Sequence, residues 1–404
     1  MKKLLLALTA VIISVNLMAQ GIEFEHGTFV EALARAKAEN KLVFMDCYTT
    51  WCGPCKQLAR DIFPQKEVGD LFNKQFVNLK VDMEKGEGPE LAEKYGVKAF
   101  PTLLFMDSEG NVLHKVVGGT DVAGLIEHAG VAKDPSKQIG TMHKRYADGE
   151  RDVVFLSEYI QALYGAYERE KMLPVGQEFI ANTPKDQLAN VNAFTVIGYS
   201  SALEYGSDTY QYIIANKEKF IAAEGIGQEN YDGVMGQCVN AHLMKKAEST
   251  NSLDELMKEI EKVKEEFDSP QSSMMEGRII NTFYLSHKQY DNWFDASVRQ
   301  AEEAGKQDAR MGESILIQTA YQVSMDPQFA ESGLYPKAID MVEGLLKEDA
   351  ENLAAYYCLA CLYKCVGNKE KALSNVNAFM TKNVEKGGQN DARVEQLKKD
   401  IELM

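Results

Sequence analysis

Positive charge is scarce in this chain. Its 404 residues include 44 lysines and arginines against 60 aspartates and glutamates, which gives a formal net charge of −16 at pH 7. A surface this acidic repels nucleic acid and anionic lipid, so neither is an expected partner. Histidine is also rare, with six residues that show no metal-ligand spacing, so we expect no metal site.

Long apolar runs are absent except at the N-terminus. Lys2 and Lys3 precede an apolar stretch over residues 4–18, and Ala19 supplies a small residue at a cleavage position. This pattern predicts a signal peptide over residues 1–19 and therefore a soluble, periplasmic protein with no stable membrane insertion after cleavage. A retained N-terminal anchor is the alternative, although the run is short for a membrane span.

Cysteine is sparse as well, with seven residues that form no dense disulfide framework. None precedes Cys47, which argues against a lipid-anchored N-terminus. Two pairs have the C-x-x-C spacing, Cys52 with Cys55 and Cys358 with Cys361. Such a pair can be half of a zinc site, but the two pairs lie far apart and no histidine pair is near, so a four-ligand site is not expected.

The cysteines near the C-terminus, Cys358, Cys361 and Cys365, recur at helical spacing on part of one face. Small apolar residues that pack between helices explain this pattern. A second redox site or a metal site is the alternative interpretation. The nearest histidine in the sequence is His287, which weakens the metal interpretation.

The first part of the chain alternates strand and helix patterns. Such alternation is typical of a mixed sheet flanked by helices. The predicted helices are 29–38, 55–63 and 90–95, and the predicted strands are 41–48, 76–81, 103–106 and 112–117. We therefore predict an α/β domain over residues 20–134.

The strand patterns fade after Pro135, and apolar residues then recur at helical spacing almost to the end. This predicts an all-α domain over residues 138–404. Its clearest unit resembles a tetratricopeptide repeat: Tyr356-x2-Leu359-Ala360-x2-Tyr363-x3-Gly367-x4-Ala372. The triplet at Lys337 recurs 34 residues later at Lys371, which matches the period of that family. An irregular helical domain is the alternative, because a repeat array needs at least three repeats.

Three segments of the α/β part carry a specific family resemblance. They are Leu42–Lys56, which contains Trp-Cys-Gly-Pro-Cys-Lys, Tyr95–Phe105, which contains Phe-Pro-Thr, and the turn Asp107–Asn111. In this order they resemble the active-site segment, the cis-proline segment and the following hairpin of thioredoxins. The resemblance spans about residues 22–132 and implies a thioredoxin fold. It is nearest to the secreted thiol:disulfide interchange branch, which includes the periplasmic C-terminal domain of membrane thiol-electron transporters.

The resemblance and the strand-to-helix position of the cysteine pair imply redox roles. Cys52 is the expected nucleophile, since backbone N–H groups at a helix start favour the thiolate. Cys55 would resolve the mixed disulfide. Asp46, six residues before Cys52, is the expected buried proton acceptor. A buried polar remnant without a catalytic part is the alternative for Asp46. Pro101 is predicted to form a cis peptide bond and to face the disulfide.

The resemblance also implies a shallow substrate groove beside Pro101. The residues expected to line it are Trp51, Gly53, Pro54, Phe100 and Gly118. Trp51 as a simple core residue is the alternative, since tryptophan is usually largely buried.

The sequence does not identify the residue that accompanies the buried acid Asp46 in proton transfer. In thioredoxins a lysine accompanies that acid, but our alignment gives Asn78 at its position, with Lys80 two residues on. This leaves the path of the proton undecided between the two side chains.

These features predict an exported protein-disulfide reductase. Thioredoxin, whose family carries the same Gly-Pro dipeptide, is a reducing couple near about −270 mV, whereas strong oxidants approach about −120 mV. No organic cofactor is expected, because the redox-active disulfide carries the electrons. The expected partners are protein thiols and disulfides and a membrane thiol-electron donor. The alternatives are a helical-repeat scaffold whose redox pair only gates partner affinity, and a disulfide oxidase or isomerase.

Overall fold

A five-stranded sheet is formed by the first part of the chain. Its strands are β1 (Phe24–Glu25), β2 (Leu42–Tyr48), β3 (Phe76–Asp82), β4 (Thr102–Met106) and β5 (Val112–Val117). They lie in the order β1-β3-β2-β4-β5, with β1, β3 and β2 parallel and with β4 antiparallel to both β2 and β5. This mixed sheet confirms the predicted thioredoxin-type α/β fold class.

The computed structural model describes residues 21–267, 272–388, 390 and 392–404. The predicted signal peptide at residues 1–19 therefore lies outside the described residues.

Helices cover both faces of this sheet. They are α1 (Phe29–Glu39), α2 (Gly53–Gln57, continued by a π-helical turn over Leu58–Ile62), α3 (Lys66–Gln75), α4 (Gly88–Lys94) and α5 (Val122–Lys133). Helix α1 begins at a capping box in which Thr28 and Glu31 satisfy each other's backbone N–H groups. It packs on β2 and β3, whereas α3 and α5 pack on the opposite face.

Alternation along the strands divides the side chains of the sheet between two cores. Phe44 points to the face covered by α3 and α5, where its ring centroid lies 4.8 Å from that of Phe72 and 5.1 Å from that of Phe105. Val43 and Met45 are buried in the other core, beneath α1. A slip of one residue would exchange the two sets, so this alternation fixes the register of β2 and the faces of its polar residues.

Three more helices belong to the same compact unit as the sheet. These are α6 (Ile139–Ala147), α7 (Val153–Gly165) and α8 (Met172–Asn182). Helices α6 and α7 pack against β5, and the division between the two units of the chain falls between Asn182 and Thr183. The domain bounds expected from the sequence, 20–134 and 138–404, stay a prediction. Helix α5 ends at Lys133, one residue before the expected end of the first domain.

The second unit is helical throughout its described residues. Its helices are α9 (Val191–Ser200), α10 (Asp208–Ala215), α11 (Lys217–Ala222), α12 (Gly227–Ser249), α13 (Leu253–Glu266), α14 (Ser272–Ser286), α15 (Tyr290–Gln307), α16 (Ala309–Met325), α17 (Tyr335–Glu348), α18 (Leu353–Cys365), α19 (Lys369–Glu385) and α20 (Ala392–Glu402). This confirms the predicted large helical region. In the described part of the chain, no helix is both long and apolar enough to cross a membrane.

The segment that resembles a repeat forms the hairpin of α18 and α19. Gly367, at φ +72°, lies in the turn between them, in a backbone conformation that favours glycine. Ala360 and Ala372 are fully buried in the core that the two helices share. The small residues of the motif therefore lie where the helices approach each other.

The three cysteines of α18 pack towards α16. The Cys358 thiol lies 3.9 Å from the carbonyl oxygen of Ile317, and the exposed Cys365 donates to that of Ser324 at 3.2 Å. Burial raises the pKa of Cys361 to about 12, so this thiol is uncharged at neutral pH. These contacts fit the packing interpretation. Among the described residues, no group of three or more His, Cys, Asp or Glu could hold a metal ion.

Helices α15 and α16 approach closely at two glycines. A Cβ atom on Gly312 would lie 2.7 Å from the carbonyl oxygen of Ala301 and 2.8 Å from the Cα atom of Gly305. Both neighbours are backbone atoms, which cannot rotate away as a flexible side chain would. The hairpin of α15 and α16 therefore requires glycine at position 312.

We predict that Gly312→Ala lowers the thermal unfolding midpoint of the full chain, because overpacking of this kind destabilises by about 1 to 3 kcal/mol. Circular dichroism at the helical signal measures the midpoint. The matched control is Gly344→Ala on α17, where an added Cβ meets no atom within 4 Å. This control should be neutral or stabilising by up to about 1 kcal/mol. Equal midpoints for the two variants would contradict the close approach.

Candidate active site

Cys52 and Cys55 are joined by a disulfide at the junction between β2 and α2. Their Cα atoms are 5.3 Å apart, and Cys52 is the N-cap residue of α2, with its sulfur accepting the N–H of Cys55 at 3.1 Å. Pro54 occupies the first turn, where no intrahelical N–H is needed. The strand thus carries the pair to its carboxyl end, and the helix directs N–H groups at the sulfur of Cys52, which favours its thiolate after reduction.

The segment around Pro101 and the loop after β5 lie together. The Phe100–Pro101 peptide bond is cis, as the sequence predicts. The N–H of Gly118 donates to the carbonyl of Pro101 at 2.9 Å, and φ of +108° at Gly118 favours glycine. A Cβ atom on the next residue, Gly119, would come within 4.0 Å of the Pro54 ring, so this loop also approaches the disulfide.

Trp51 lies at the rim of the site and is half-buried. Its indole N–H donates to Glu84 Oε1 at 2.9 Å, and its ring meets that of Phe100 edge-on with centroids 6.0 Å apart. These contacts link the cysteine segment with the cis-proline segment. The structure therefore brings Trp51 and Phe100 together, while their roles in binding stay predictions.

Asp46 is fully buried on β2, the strand that leads to the disulfide segment. Burial raises the pKa of its carboxyl group from 3.8 to about 6, and the nearby charge of Lys80 partly opposes this shift. Lys80 Nζ lies 3.2 Å from Oδ2 and forms an ion pair. No other described residue donates a hydrogen bond to either oxygen of Asp46.

The lysine partner that the sequence left open is Lys80, and not the aligned Asn78. Lys80 lies opposite Asp46 in the parallel register of β2 and β3, so both side chains share one face of the sheet. The amide of Asn78 instead donates to the carbonyl of Glu23 and to Asn73 Oδ1, at 3.3 and 3.2 Å. The register of two separate strands decides this pairing, and alignment alone does not contain it.

Two of the scattered histidines meet on the side of the sheet covered by α5. His114 Nε2 lies 3.1 Å from His128 Nδ1, and burial lowers the pKa of His114 to about 3. His114 is therefore neutral at neutral pH, and one ring can donate a hydrogen bond to the other. The sequence gives no sign of this contact, because fourteen residues separate the two positions.

A thioredoxin fold with a Cys-Gly-Pro-Cys disulfide at the start of α2 defines a thiol–disulfide redox domain. The comparisons with known proteins agree. The sequence model of the thioredoxin-like domain matches residues 29–129. Thioredoxin-T of Drosophila melanogaster is 37% identical over 116 residues, which cover 28% of this chain and 68% of that protein. The chain therefore belongs to the thioredoxin-like family through its N-terminal part.

The chain is also similar to a larger interchange protein and to a small solved domain. Thiol:disulfide interchange protein DsbD of Pseudoalteromonas atlantica is 30% identical over 106 residues, covering 26% of this chain and 17% of DsbD. A candidate disulphide-isomerase of Bacteroides thetaiotaomicron, solved in solution, is 53% identical over 28% of this chain and 93% of its own, with a TM-score of 0.27. The chain spans 60% of Thioredoxin-1 of Drosophila melanogaster and less than a fifth of DsbD. The thioredoxin-like family and the relatives Thioredoxin-T and DsbD support a redox enzyme in general.

We predict that Asp46→Asn stabilises the protein at pH 7. The folded-state pKa of about 6 lies above the ordinary 3.8, so the folded protein binds this proton more tightly than the unfolded chain does. The destabilisation is therefore absent below pH 3.8, grows as the pH rises towards 6 and is complete above it. The variant should gain on the order of 2 kcal/mol at pH 7 and almost nothing near pH 3.5.

Thermal unfolding at the two pH values measures this difference. Glu93→Gln, which removes an exposed carboxylate on α4, is the control and should leave both midpoints unchanged. A gain for Asp46→Asn that is equally large at pH 3.5 would contradict the raised pKa.

Proposed function

We propose that this protein is an exported thiol–disulfide oxidoreductase that reduces protein disulfides. The observation that carries the proposal is the Cys52–Cys55 disulfide at the N-terminus of α2, beside the cis Phe100–Pro101 bond. A sulfur at a helix N-terminus with a second sulfur within bonding distance is the arrangement that thiol–disulfide exchange requires.

The reaction proceeds in two exchanges. The Cys52 thiolate attacks a substrate disulfide, forms a mixed disulfide and expels one substrate thiolate, which takes up a proton. Asp46 accepts the proton of the Cys55 thiol, because a carboxyl group with a pKa near 6 is a suitable base close to neutral pH. The Cys55 thiolate then attacks the Cys52 sulfur and releases the second substrate sulfur as a thiolate, which takes up a proton. Two electrons pass to the substrate, and the Cys52–Cys55 disulfide forms again.

The substrate lies as an extended segment in the groove beside Pro101. Trp51 and Phe100 form one wall of this groove through their edge-on contact. Gly118 and Pro54 are the residues expected on its other side, where the neighbouring Gly119 approaches Pro54. No organic cofactor or metal takes part, because the sulfur pair carries both electrons.

The direction of the reaction is reduction, since the Gly-Pro dipeptide between the cysteines is that of the reducing thioredoxins. Reduction in an exported protein needs a source of electrons, and a membrane thiol-electron transporter is the expected donor. The similarity to DsbD supports this view, because that protein is named as a thiol:disulfide interchange protein.

The helical unit selects or positions a protein partner. The hairpin of α18 and α19, with Gly367 at its turn, supports the resemblance of this region to tetratricopeptide repeats. Such helix pairs bury their small residues between neighbours and present extended surfaces for binding.

We predict that Cys52→Ser abolishes reduction of insulin-type disulfides, because the attacking sulfur is lost. Cys55→Ser should instead accumulate a covalent mixed disulfide with the substrate, because attack proceeds and release does not. Turbidity of insulin measures turnover, and non-reducing electrophoresis with mass spectrometry measures the trapped complex.

The matched control is Cys365→Ser, which removes the exposed thiol of the helical unit and should leave turnover unchanged. Turnover by Cys52→Ser at the wild-type rate would overturn the mechanism. Trapping through any other cysteine in the Cys55→Ser variant would overturn the assignment of the nucleophile.

We predict a reducing midpoint potential for the Cys52–Cys55 couple, near the roughly −270 mV of thioredoxin. Equilibration with glutathione buffers, followed by alkylation of free thiols and mass spectrometry, measures it. A midpoint above about −180 mV, the range of disulfide isomerases, would replace the reductase with an isomerase or oxidase.

A further inference from the structure

Three aromatic rings surround the ammonium group of Lys80. Its Nζ atom lies 4.7 Å from the ring centroid of Tyr48, 5.5 Å from that of Phe63 and 5.8 Å from that of Phe24. All three distances are within the roughly 6 Å at which a cation is attracted to a ring face. We call Phe24, Tyr48 and Phe63 the aromatic cage.

The cage comes from three parts of the fold that meet on one face of the sheet. Asp46 and Tyr48 alternate with Cys47 along β2, so both point to the face covered by α3 and α5. Lys80 stands opposite Asp46 in the register, and Phe24 reaches this face from β1. Phe63 follows directly after the π-helical turn that continues α2.

Two of the rings have a second role, and the third does not. The ring of Phe24 packs against that of Phe63 at 5.3 Å, and Phe63 packs against Phe44 at 6.2 Å, so both contribute to the core of this face. Tyr48 is half-buried and belongs to neither core cluster of the sheet. Its ring is nevertheless the nearest of the three to the ammonium group.

We propose that Tyr48, as the nearest ring of the aromatic cage, is a positioning residue that holds Lys80 against Asp46. The side chain of Lys80 is 25% exposed, so without the rings its ammonium group could turn towards water. The rings attract the cation without accepting a hydrogen bond, which keeps its charge directed at the carboxylate. The link to thiol–disulfide exchange rests on the proposed function, in which Asp46 accepts the proton of Cys55.

Other charged groups near the cluster are paired among themselves. Asp82 and Lys85, whose charges act on the pKa of Tyr48, form an ion pair at 3.2 Å. Arg60 and Asp61, on the turn that precedes Phe63, pair at 2.7 Å on the exposed surface. Cys47 lies on the opposite face of the sheet, where burial raises the pKa of its thiol well above the ordinary value. Lys80 is therefore the cation whose position governs the pKa of Asp46.

The test is the carboxyl titration of Asp46, followed by carbon-13 NMR in the oxidised full chain, where Cys52 and Cys55 do not titrate. Tyr48→Leu should raise the pKa of Asp46 by roughly half a unit, as the loss of one cation–ring contact allows. Tyr48→Phe, which keeps the ring, should restore the wild-type titration. Lys80→Met should raise the pKa by about one unit or more, because the countercharge is lost.

The decisive comparison is Tyr48→Leu in the Lys80→Met background. If Tyr48 acts through Lys80, the double variant should titrate as Lys80→Met does. The proposal would be overturned if Tyr48→Leu shifted the pKa of Asp46 equally in the wild-type and Lys80→Met backgrounds. It would also be overturned if the single variant Tyr48→Leu showed no shift. The matched control is Tyr356→Leu in the helical unit, which removes a similar ring 5.9 Å from Lys382 and should leave Asp46 unchanged.

The same variants separate this proposal from the proposed function. If Asp46 accepts the proton of Cys55, the midpoint of the pH profile of insulin reduction should move to higher pH in Tyr48→Leu, as the pKa of Asp46 does. A shifted titration with an unmoved profile would support the positioning of Lys80 and overturn the catalytic role of Asp46.

Discussion

The carboxyl group of Asp46 is the constraint on which the rest of the site depends. It lies fully buried in the middle of the sheet, one ammonium group is within 3.2 Å, and the described residues donate no hydrogen bond to it. Ionising such a group opposes folding, which is why its pKa is raised to about 6. A chain selected only for stability would place an apolar residue here. A buried carboxyl group with a raised pKa is typical of functional sites, which agrees with the proton-accepting role proposed for Asp46.

The features that the sequence predicts correctly are those determined by residues close together in the chain. The Cys-x-x-Cys pair, the Phe-Pro-Thr segment and the Asp-Ser-Glu-Gly-Asn turn each act within a few residues, and each has the expected conformation in the structure. The seven elements predicted for the α/β part are all present, with ends that differ by at most two residues. Apolar runs and glycine or proline at their ends determine such elements, so no long-range information is needed.

The features that the sequence does not reveal depend on contacts between distant residues. The choice of Lys80 over Asn78 is set by the pairing of β2 with β3, and the aromatic cage requires β1, which is only two residues long. Helix α3 also went unrecognised, because its apolar positions are few and its packing on β3 is a tertiary effect. The roles of the groove residues remain predictions, since geometry alone does not test binding.

The first helices after residue 138 make a contact that composition does not reveal. They read as the start of the helical region, yet α6 and α7 pack on β5, the edge strand of the sheet. An uncovered edge strand is a template for unwanted pairing, so this packing protects it. The contact also reaches the site. Lys115 on β5 donates to the carbonyls of Tyr95 and Gly96 at 3.3 and 3.0 Å, and the charge of Glu168, after α7, acts on the same lysine. Lys115 therefore anchors the backbone that leads from Gly96 towards the cis Phe100–Pro101 bond.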